Sequence, residues 1–250
     1  MMENQPKLMI NMTRDEVKKG LAEFPVVILP LGATEQHGHH LPLGVDIYLS
    51  EYFSKEVAKA TGALVAPTLP FGYSWVWRDI PGTISLQQDL VEAVIKDVAH
   101  SVSRYGGKML VLINGHDSNN SSMKYAVREL DEELDMPVIY LFYPRLSEVI
   151  KEVCESPTWN GMIHACEFET SLMLHVNEAL VDMNKTVEEY PETPNLYGAS
   201  TISLGDLSKS GVFGDSTLAT KDKGKKMAEI FTDKMIKLVN EGYKEFVIRQ

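Results

Sequence analysis

The sequence predicts an α/β protein with a mostly parallel central sheet that is covered by helices on both faces. Short apolar segments alternate with helical segments along the whole chain, and this alternation is typical of parallel βαβ units. Residues 109–113 are apolar at every position, which indicates a strand buried on both faces. The chain has 250 residues, a length that one core can accommodate. We therefore expect a single domain over residues 1–250.

Each predicted element follows from its apolar periodicity or from a residue that begins or ends it. Thr13, Ser85 and Thr220 have the side chains that cap helix N-termini, and Gly106 ends the helix that Ser85 would begin. In that helix, apolar residues recur every four positions. The expected helices are 14–23, 47–60, 85–105, 122–134, 146–153, one from about 167, and one from 220 to about 241. The expected strands are 26–31, 64–67, 109–113 and 138–142, and residues 190–214 are expected to form a long loop.

The composition indicates which partners the protein does not bind and in which cell compartment it is expected. The net charge of −11 argues against nucleic acid or an anionic membrane, because phosphate binding needs a positive field. The two cysteines, Cys154 and Cys166, form neither a disulfide framework nor a C-x-x-C pair, which favours a reduced, cytoplasmic protein. No apolar run approaches the roughly 20 residues of a membrane helix, and no signal peptide is evident. We expect a cytoplasmic protein that acts on a small molecule.

The most informative segment is 31–46, where acidic and histidine side chains follow a predicted strand. Glu35 and His37 are two residues apart, and this spacing directs both side chains to one side of an extended segment. Asp46 precedes a predicted helix, and His116 follows the next buried strand. Ligands of parallel sheets bind beyond the carboxyl ends of the strands, and mixed oxygen and nitrogen donors suit divalent cations. We therefore expect one shared metal site at this edge.

A second group of histidine and carboxylate side chains lies at residues 164–171 and includes Glu167. If Glu167 joins Glu35 and Asp46, three carboxylates face the two neutral imidazoles. One divalent cation would leave this set negatively charged, whereas two cations and a bridging hydroxide balance it. Asp46 can bridge, which leaves each cation three protein ligands and an open position. The sequence thus favours two divalent cations per chain.

Several sequence blocks, in chain order, resemble the creatininase (creatinine amidohydrolase) family. The blocks are Gly32 to Gly38 with His40-Leu41-Pro42-Leu43 and Asp46, Pro81-Gly82-Thr83, Asn114-Gly115-His116 with Asn119, His164-Ala165 with Glu167, Glu169, Thr170 and Ser171, and Gly211-Val212 with Gly214-Asp215. The resemblance implies a single three-layer α/β/α domain and a homohexamer. It also implies two divalent ions, most often zinc or manganese with iron as a further option, and hydrolysis of a C–N bond in an amide.

The resemblance also implies the metal ligands. Four positions match those of the family, with the aspartate bridging: Glu35, His37, Asp46 and His116. Creatininase itself has a further glutamate two residues after the histidine of the Asn-Gly-His loop, where this chain has Ser118. Most other branches use the glutamate of a His-Ala-Gly-Glu block, so we assign the fifth ligand to Glu167. Ser118, and Asp117 in place of an aromatic residue, argue against creatinine as the substrate.

The expected chemistry is attack on the carbonyl of a small cyclic amide, lactam or formamide by a water whose pKa the cations lower toward ~7. His164 is the candidate that protonates the leaving nitrogen, since an unperturbed pKa of ~6.5 suits proton transfer. Glu169 is expected to assist catalysis by orienting the ligands. The residues expected to contact the substrate are Tyr73, Trp75, Trp77, Asp117 and Trp159.

Other functions remain open at this point. Within the family they are deformylation of a ribosylated pyrimidine, trimming of a short modified peptide, and C–C hydrolysis of a cyclic diketone. A phosphorylated substrate would favour basic residues at the mouth of the site, where only Arg78 and Lys209 are expected. A non-catalytic metal-binding protein on the same fold is the alternative from another class. Trp75 and Trp77 would equally suit a subunit interface.

Overall fold

A computed structural model describes residues 5–249, and five parallel strands form its central sheet. Their order across the sheet is β1-β3-β2-β4-β5. The strands are β1 (Lys7–Leu8), β2 (Val26–Leu31), β3 (Leu64–Val65), β4 (Met109–Asn114) and β5 (Val138–Leu141). A separate antiparallel pair, β6 (Glu188–Glu189) and β7 (Gly214–Asp215), borders the segment that was expected to be a loop.

Seven α-helices among the described residues pack on this sheet. They are α1 (Arg14–Glu23), α2 (Val45–Thr61), α3 (Gln88–Arg104), α4 (Asn119–Glu133), α5 (Leu146–Val153), α6 (Glu167–Asn177) and α7 (Lys221–Tyr243). None of these helices is both long enough and apolar enough to cross a bilayer. The predicted three-layer α/β/α class with a mostly parallel sheet is confirmed.

Different helices cover the two faces of the sheet, because alternate residues of a strand point to opposite sides. Ile28 and Val111 belong to the core beneath α2, α5, α6 and α7. Leu29 and Leu112 belong to the core beneath α1, α3 and α4. Every residue of β2 and β4 is buried, which explains why both strands are almost continuously apolar in sequence.

Most predicted boundaries agree with the structure to within a few residues, but two helix starts differ. Thr13 and Thr220 cap α1 and α7 as predicted. Ser85 does not cap α3, which begins three residues later. Its hydroxyl instead accepts a hydrogen bond from the backbone N–H of Ser74. Helix α4 begins at Asn119 rather than at residue 122.

The carboxyl ends of β2 and β4 lie side by side, with Leu31 paired to Asn114. The two loops that carry predicted ligands therefore leave the sheet at neighbouring points. The N-terminus of α2 packs directly against the loop after β4. A Cβ atom on Gly115 would lie 2.3 Å from the carbonyl oxygen of Asp46, a distance that no side chain can adopt. The absence of a side chain at Gly115 thus allows Asp46 to reach this edge.

Candidate metal centre

Six acidic and histidine side chains converge at the carboxyl edge of the sheet, and each is at most 6% exposed. They come from five parts of the chain: the loop after β2, the first turn of α2, the loop after β4, the segment before α6, and the first turn of α6. The six are Glu35, His37, Asp46, His116, His164 and Glu169. Four of the five residues predicted as ligands, Glu35, His37, Asp46 and His116, lie in this cluster.

Asp46 lies between two sets of donor atoms. Its Oδ2 is 3.2 Å from Nδ1 of His116, and that nitrogen is 3.3 Å from Oε1 of Glu35. On the other side, Oδ1 of Asp46 is 3.3 Å from Nε2 of His37. The same His37 nitrogen is 3.8 Å from Oε2 of Glu169. Each set offers three donors, and Asp46 belongs to both.

The two histidines in these sets are each held through the ring nitrogen that points away from the carboxylates. Nε2 of His116 lies 2.9 Å from the carbonyl oxygen of Tyr73, and Nδ1 of His37 lies 3.2 Å from the carbonyl oxygen of Glu35. A neutral imidazole that donates its N–H to a carbonyl keeps a lone pair on the other nitrogen. Both rings are therefore oriented as metal ligands.

The donor atoms of the centre fit divalent cations. Of the buried side-chain atoms in residues 5–249 that have no hydrogen-bond partner, three belong to the donor sets, namely Oε2 of Glu35, Nε2 of His37 and Oδ2 of Asp46. An unpaired buried polar atom costs about 1–3 kcal/mol, and a charged one costs more. Carboxylate oxygens and imidazole nitrogens are ligands that zinc and manganese accept. Two cations would compensate the three buried carboxylates.

The buried carboxylates and imidazoles strongly shift one another's pKa values. Burial opposes protonation of His37, but the carboxylates of Asp46 and Glu169 outweigh it and raise the pKa of His37 to about 9. Burial likewise opposes protonation of His116, and the neighbouring carboxylates of Glu35 and Asp46 raise its pKa well above the usual value. Burial raises the pKa of Glu169 to about 7, although His37 opposes this shift. Without metal, protons on the imidazoles balance the buried carboxylates.

The structure corrects the predicted fifth ligand. Glu167 is fully buried, but its carboxylate accepts hydrogen bonds from the backbone N–H groups of Glu155 and Ser156 and from Nζ of Lys223. Glu169 brings a carboxylate to the cluster instead. Residues two apart on an α-helix point about 200° apart. Only one of the two glutamates in the first turn of α6 can therefore face the sheet edge.

His164, the predicted proton donor, lies at the border of the cluster. Its Nδ1 is 3.7 Å from Oε1 of Glu35, and its ring stacks on that of Trp77 with the centroids 4.5 Å apart. Its Nε2 is 3.0 Å from the backbone oxygen of Gln36. Burial, with repulsion from His37, lowers the pKa of His164 well below the usual value. The ring is therefore neutral at pH 7 and fixed from both sides.

Gln36 is a residue of the centre that sequence reasoning did not single out. Its side-chain oxygen accepts a hydrogen bond from the backbone N–H of Gly38 at 2.9 Å. Its amide nitrogen donates to the carbonyl of Gly211 at 3.0 Å and lies 2.9 Å from Nε2 of His164. Gln36 thus connects the ligand loop, His164 and the segment before β7. The only signal in the sequence was its place between two predicted ligands.

A cavity of about 60 Å³ opens onto the centre. Of the residues expected to contact a substrate, Trp77 and Asp117 line it. Ser118 lies beside Asp117 in this lining. The apolar part of the wall consists of Val76, Trp77, Phe142, Met162, Ile163 and Leu204.

The other three residues expected to contact a substrate do not line this cavity. The backbone carbonyl of Tyr73 lies 2.9 Å from Nε2 of His116, and its side chain packs against the core beneath α3. Trp75 is partly exposed, and the guanidinium of Arg78 lies 3.9 Å from its ring centroid. Trp159 is buried among other aromatic side chains. Their predicted substrate contacts are wrong for this cavity, because exposure depends on packing that a loop sequence does not reveal.

The fold and the donor sets together indicate a metal-binding hydrolase of the α/β/α class. The family model described as creatinine amidohydrolase matches residues 10–239. The chain belongs to the creatininase family, whose members are hydrolases that act on C–N bonds.

Relatives with three different names match most of the chain. Creatinine amidohydrolase of Pseudomonas putida is 31% identical over 233 residues, which span 87% of this chain and 90% of that protein. A mycofactocin precursor peptide peptidase of Mycobacterium ulcerans is 29% identical, spanning 84% and 83%. The 3-dehydro-scyllo-inosose hydrolase of Thermotoga maritima is 25% identical, spanning 94% and 83%. The family thus contains hydrolases of several substrates.

Solved creatininase structures superpose well on this chain, and the names of two of them include a metal. A structure named "Creatininase Mn" superposes with a TM-score of 0.80 at 29% identity, covering 97% of this chain and 99% of that one. A mutant creatininase of the Zn–Zn type gives 0.79 at 28% identity, covering 96% and 98%.

The pKa shifts predict how the stability of the metal-free protein depends on pH. His37 has a pKa of about 9 when folded and about 6.5 when unfolded. The stabilisation that its proton provides is complete below pH 6.5 and is lost as the pH rises through 9. We expect the free energy of unfolding of chelator-treated protein to fall between pH 7 and 8.5, by about 1.4 kcal/mol per pH unit for each such imidazole.

Urea unfolding at four pH values between 7 and 8.5 measures how steeply the free energy of unfolding falls with pH. His37→Gln should reduce this slope, whereas His100→Gln, which removes an imidazole that pairs with Glu133 between α3 and α4, should leave it unchanged. A stability that stays constant or rises with pH in the metal-free protein would contradict these shifts.

Proposed function

We propose that this protein is a dinuclear metal-dependent amidohydrolase that cleaves the C–N bond of a small amide, lactam or formamide other than creatinine. The observation that carries the proposal is the pair of donor sets that share Asp46 and line a cavity whose wall is partly apolar. One cation would be held by Glu35, Asp46 and His116, and the other by His37, Asp46 and Glu169. Zinc or manganese suits both sets, and iron is a further option.

Bound cations would supply a water of lowered pKa and polarise the substrate carbonyl. Groups of the protein itself would orient the ligands and transfer the proton. The carbonyl oxygens of Tyr73 and Glu35 hold the two ligand imidazoles in the ligating orientation. His164 lines the cavity in its neutral form. It would accept a proton from the attacking water and deliver it to the leaving nitrogen, while Trp77 and Gln36 keep its ring in place.

The cavity supports a small reacting group. Its volume of about 60 Å³ is less than half that of a cavity of about 150 Å³ that admits benzene. Only the carbonyl and its immediate neighbours would enter, and the remainder of the substrate would lie at the rim. The apolar wall, from Val76 to Leu204, would exclude water from the reacting bond.

The alternatives within the family differ in substrate. One relative is named as a peptide peptidase and another as an inosose hydrolase. A substrate screen therefore also tests trimming of a modified peptide and C–C hydrolysis of a cyclic diketone. A ribosylated pyrimidine is less favoured, because neither Arg78 nor Lys209 lines the cavity. A non-catalytic metal-binding protein is the remaining alternative.

The family resemblance also supports a cytoplasmic homohexamer in which residues 1–250 form one domain. The partly exposed ring of Trp75 would suit a contact between subunits, since interfaces are enriched in aromatic residues.

Two glutamates on α6 provide a matched test of the ligand assignment. We expect Glu169→Gln to lose metal, because the set at His37 then retains only one carboxylate. We expect Glu167→Gln to keep two metals per chain but to lower the free energy of unfolding by about 1–3 kcal/mol, since Lys223 loses a buried partner. Elemental analysis and urea unfolding measure the two effects. Loss of metal from Glu167→Gln with full retention in Glu169→Gln would reinstate the original assignment of Glu167.

A screen of lactams, cyclic imides and formamides tests the activity. We expect metal-loaded protein to release amine from at least one of them, with turnover that a chelator abolishes and added zinc or manganese restores. His164→Gln should retain both metals and lower kcat by about 10²–10⁴-fold, the usual contribution of proton transfer by a side chain.

Each other outcome has its own meaning. Bound metal without turnover on the whole panel would favour the non-catalytic alternative. Turnover confined to peptides or to cyclic diketones would show that the substrate is not a small amide. Loss of metal in His164→Gln would make His164 a ligand rather than a proton carrier.

A further inference from the structure

Asp117 presents a carboxylate at the rim of the cavity. It directly follows the ligand His116, so its Cα lies about 3.8 Å from that of the ligand. Its side chain is exposed and lines the cavity. Nδ2 of Asn120 donates to its Oδ1 at 2.8 Å, and Asn120 is itself contacted by the amide of Asn114. One oxygen is thus anchored to the start of α4, and the other is available to a ligand.

This carboxylate does not serve the fold as a helix cap. Helix α4 begins at Asn119 with Ser118 at its N-cap position, and no side chain there caps the backbone. The hydrogen bond that Asp117 accepts comes from a side-chain amide rather than from a backbone N–H of the first turn. The Asp117 carboxylate therefore makes no hydrogen bond to the backbone of the first turn of α4.

No cationic side chain of the described residues forms an ion pair with Asp117. None of the ion pairs found in residues 5–249 involves it, and the residues that line the cavity include neither lysine nor arginine. Arg78, the basic residue of the 75–78 turn, contacts the ring and the carbonyl of Trp75 and pairs with Asp79. A charge that faces a binding cavity without an oppositely charged partner favours a ligand that brings the opposite charge or an N–H donor.

The charge distribution along the cavity gives a substrate one orientation. Cations in the two donor sets would make the inner end attractive to a carbonyl oxygen, whereas Asp117 makes the rim attractive to a hydrogen-bond donor. The apolar residues Trp77 and Leu204 line the same cavity. A substrate with a carbonyl at one end and a donor a few bonds away matches this order.

We infer that Asp117 selects amides that carry a protonated amine or another cationic N–H donor close to the scissile carbonyl. The inference rests on the proposed amidohydrolase function, and it assigns to that function a substrate class: a small aminated lactam or amide rather than a neutral or acidic one. Ser118, whose hydroxyl does not cap α4, lies beside Asp117 in the lining and would accompany this recognition.

Binding of two matched probes tests the inference without requiring turnover. The probes are pyrrolidin-2-one and 3-aminopyrrolidin-2-one, titrated by calorimetry into zinc-loaded full-length protein at pH 7. We expect the amino probe to bind about tenfold more tightly, which corresponds to about 1.4 kcal/mol for one charge-assisted hydrogen bond at the cavity rim. In Asp117→Asn, which keeps an oxygen for Asn120, the two affinities should become equal within about twofold.

Asp131→Asn is the control, because it removes the same charge from the exposed far end of α4 and should leave the tenfold ratio intact. Equal affinities in the unmodified protein would overturn the inference. A preference for the amino probe that survives Asp117→Asn would also overturn it, since the amine would then be bound by the metal. Failure of the proposed function is a separate result, namely no turnover of any amide in a protein that still shows the binding preference.

Discussion

The structure of the centre depends on one buried carboxylate, that of Asp46, which lies between two imidazoles. An ionised carboxylate in a buried site requires compensating positive charge. In the metal-free protein, protons on His37 and His116 provide it, as their raised pKa values indicate. In the loaded protein, two cations would take over this role. The close approach of α2 to Gly115 and the anchoring of each imidazole by a carbonyl oxygen both serve to hold this arrangement.

Much of the fold could be predicted because its signals are local. The apolar runs of β2 and β4 and the four-residue period of α3 depend on burial patterns that appear directly in the sequence. The ligand loops could be placed because the carboxyl ends of parallel strands meet at one edge. Ser85 was misplaced as a cap because its hydroxyl bonds to Ser74, a contact between segments that no local pattern reveals.

The choice between Glu167 and Glu169 could not be made from the sequence. Both lie in the first turn of α6, and the rotation of that helix decides which one reaches the centre. The rotation is set partly by Lys223, 56 residues away in the chain, which pairs with Glu167. The exposure of Trp75 and the burial of Trp159 likewise depend on tertiary packing, so loop aromatics alone did not identify the cavity wall.

The central claim is that Asp46 is shared between two cations. Anomalous diffraction from crystals grown with zinc tests it most directly. We predict two peaks per chain, one beside Glu35, Asp46 and His116 and the other beside His37, Asp46 and Glu169, with ligand distances of about 2.0–2.2 Å. A single peak, or two peaks of which one lies away from Asp46, would contradict the account.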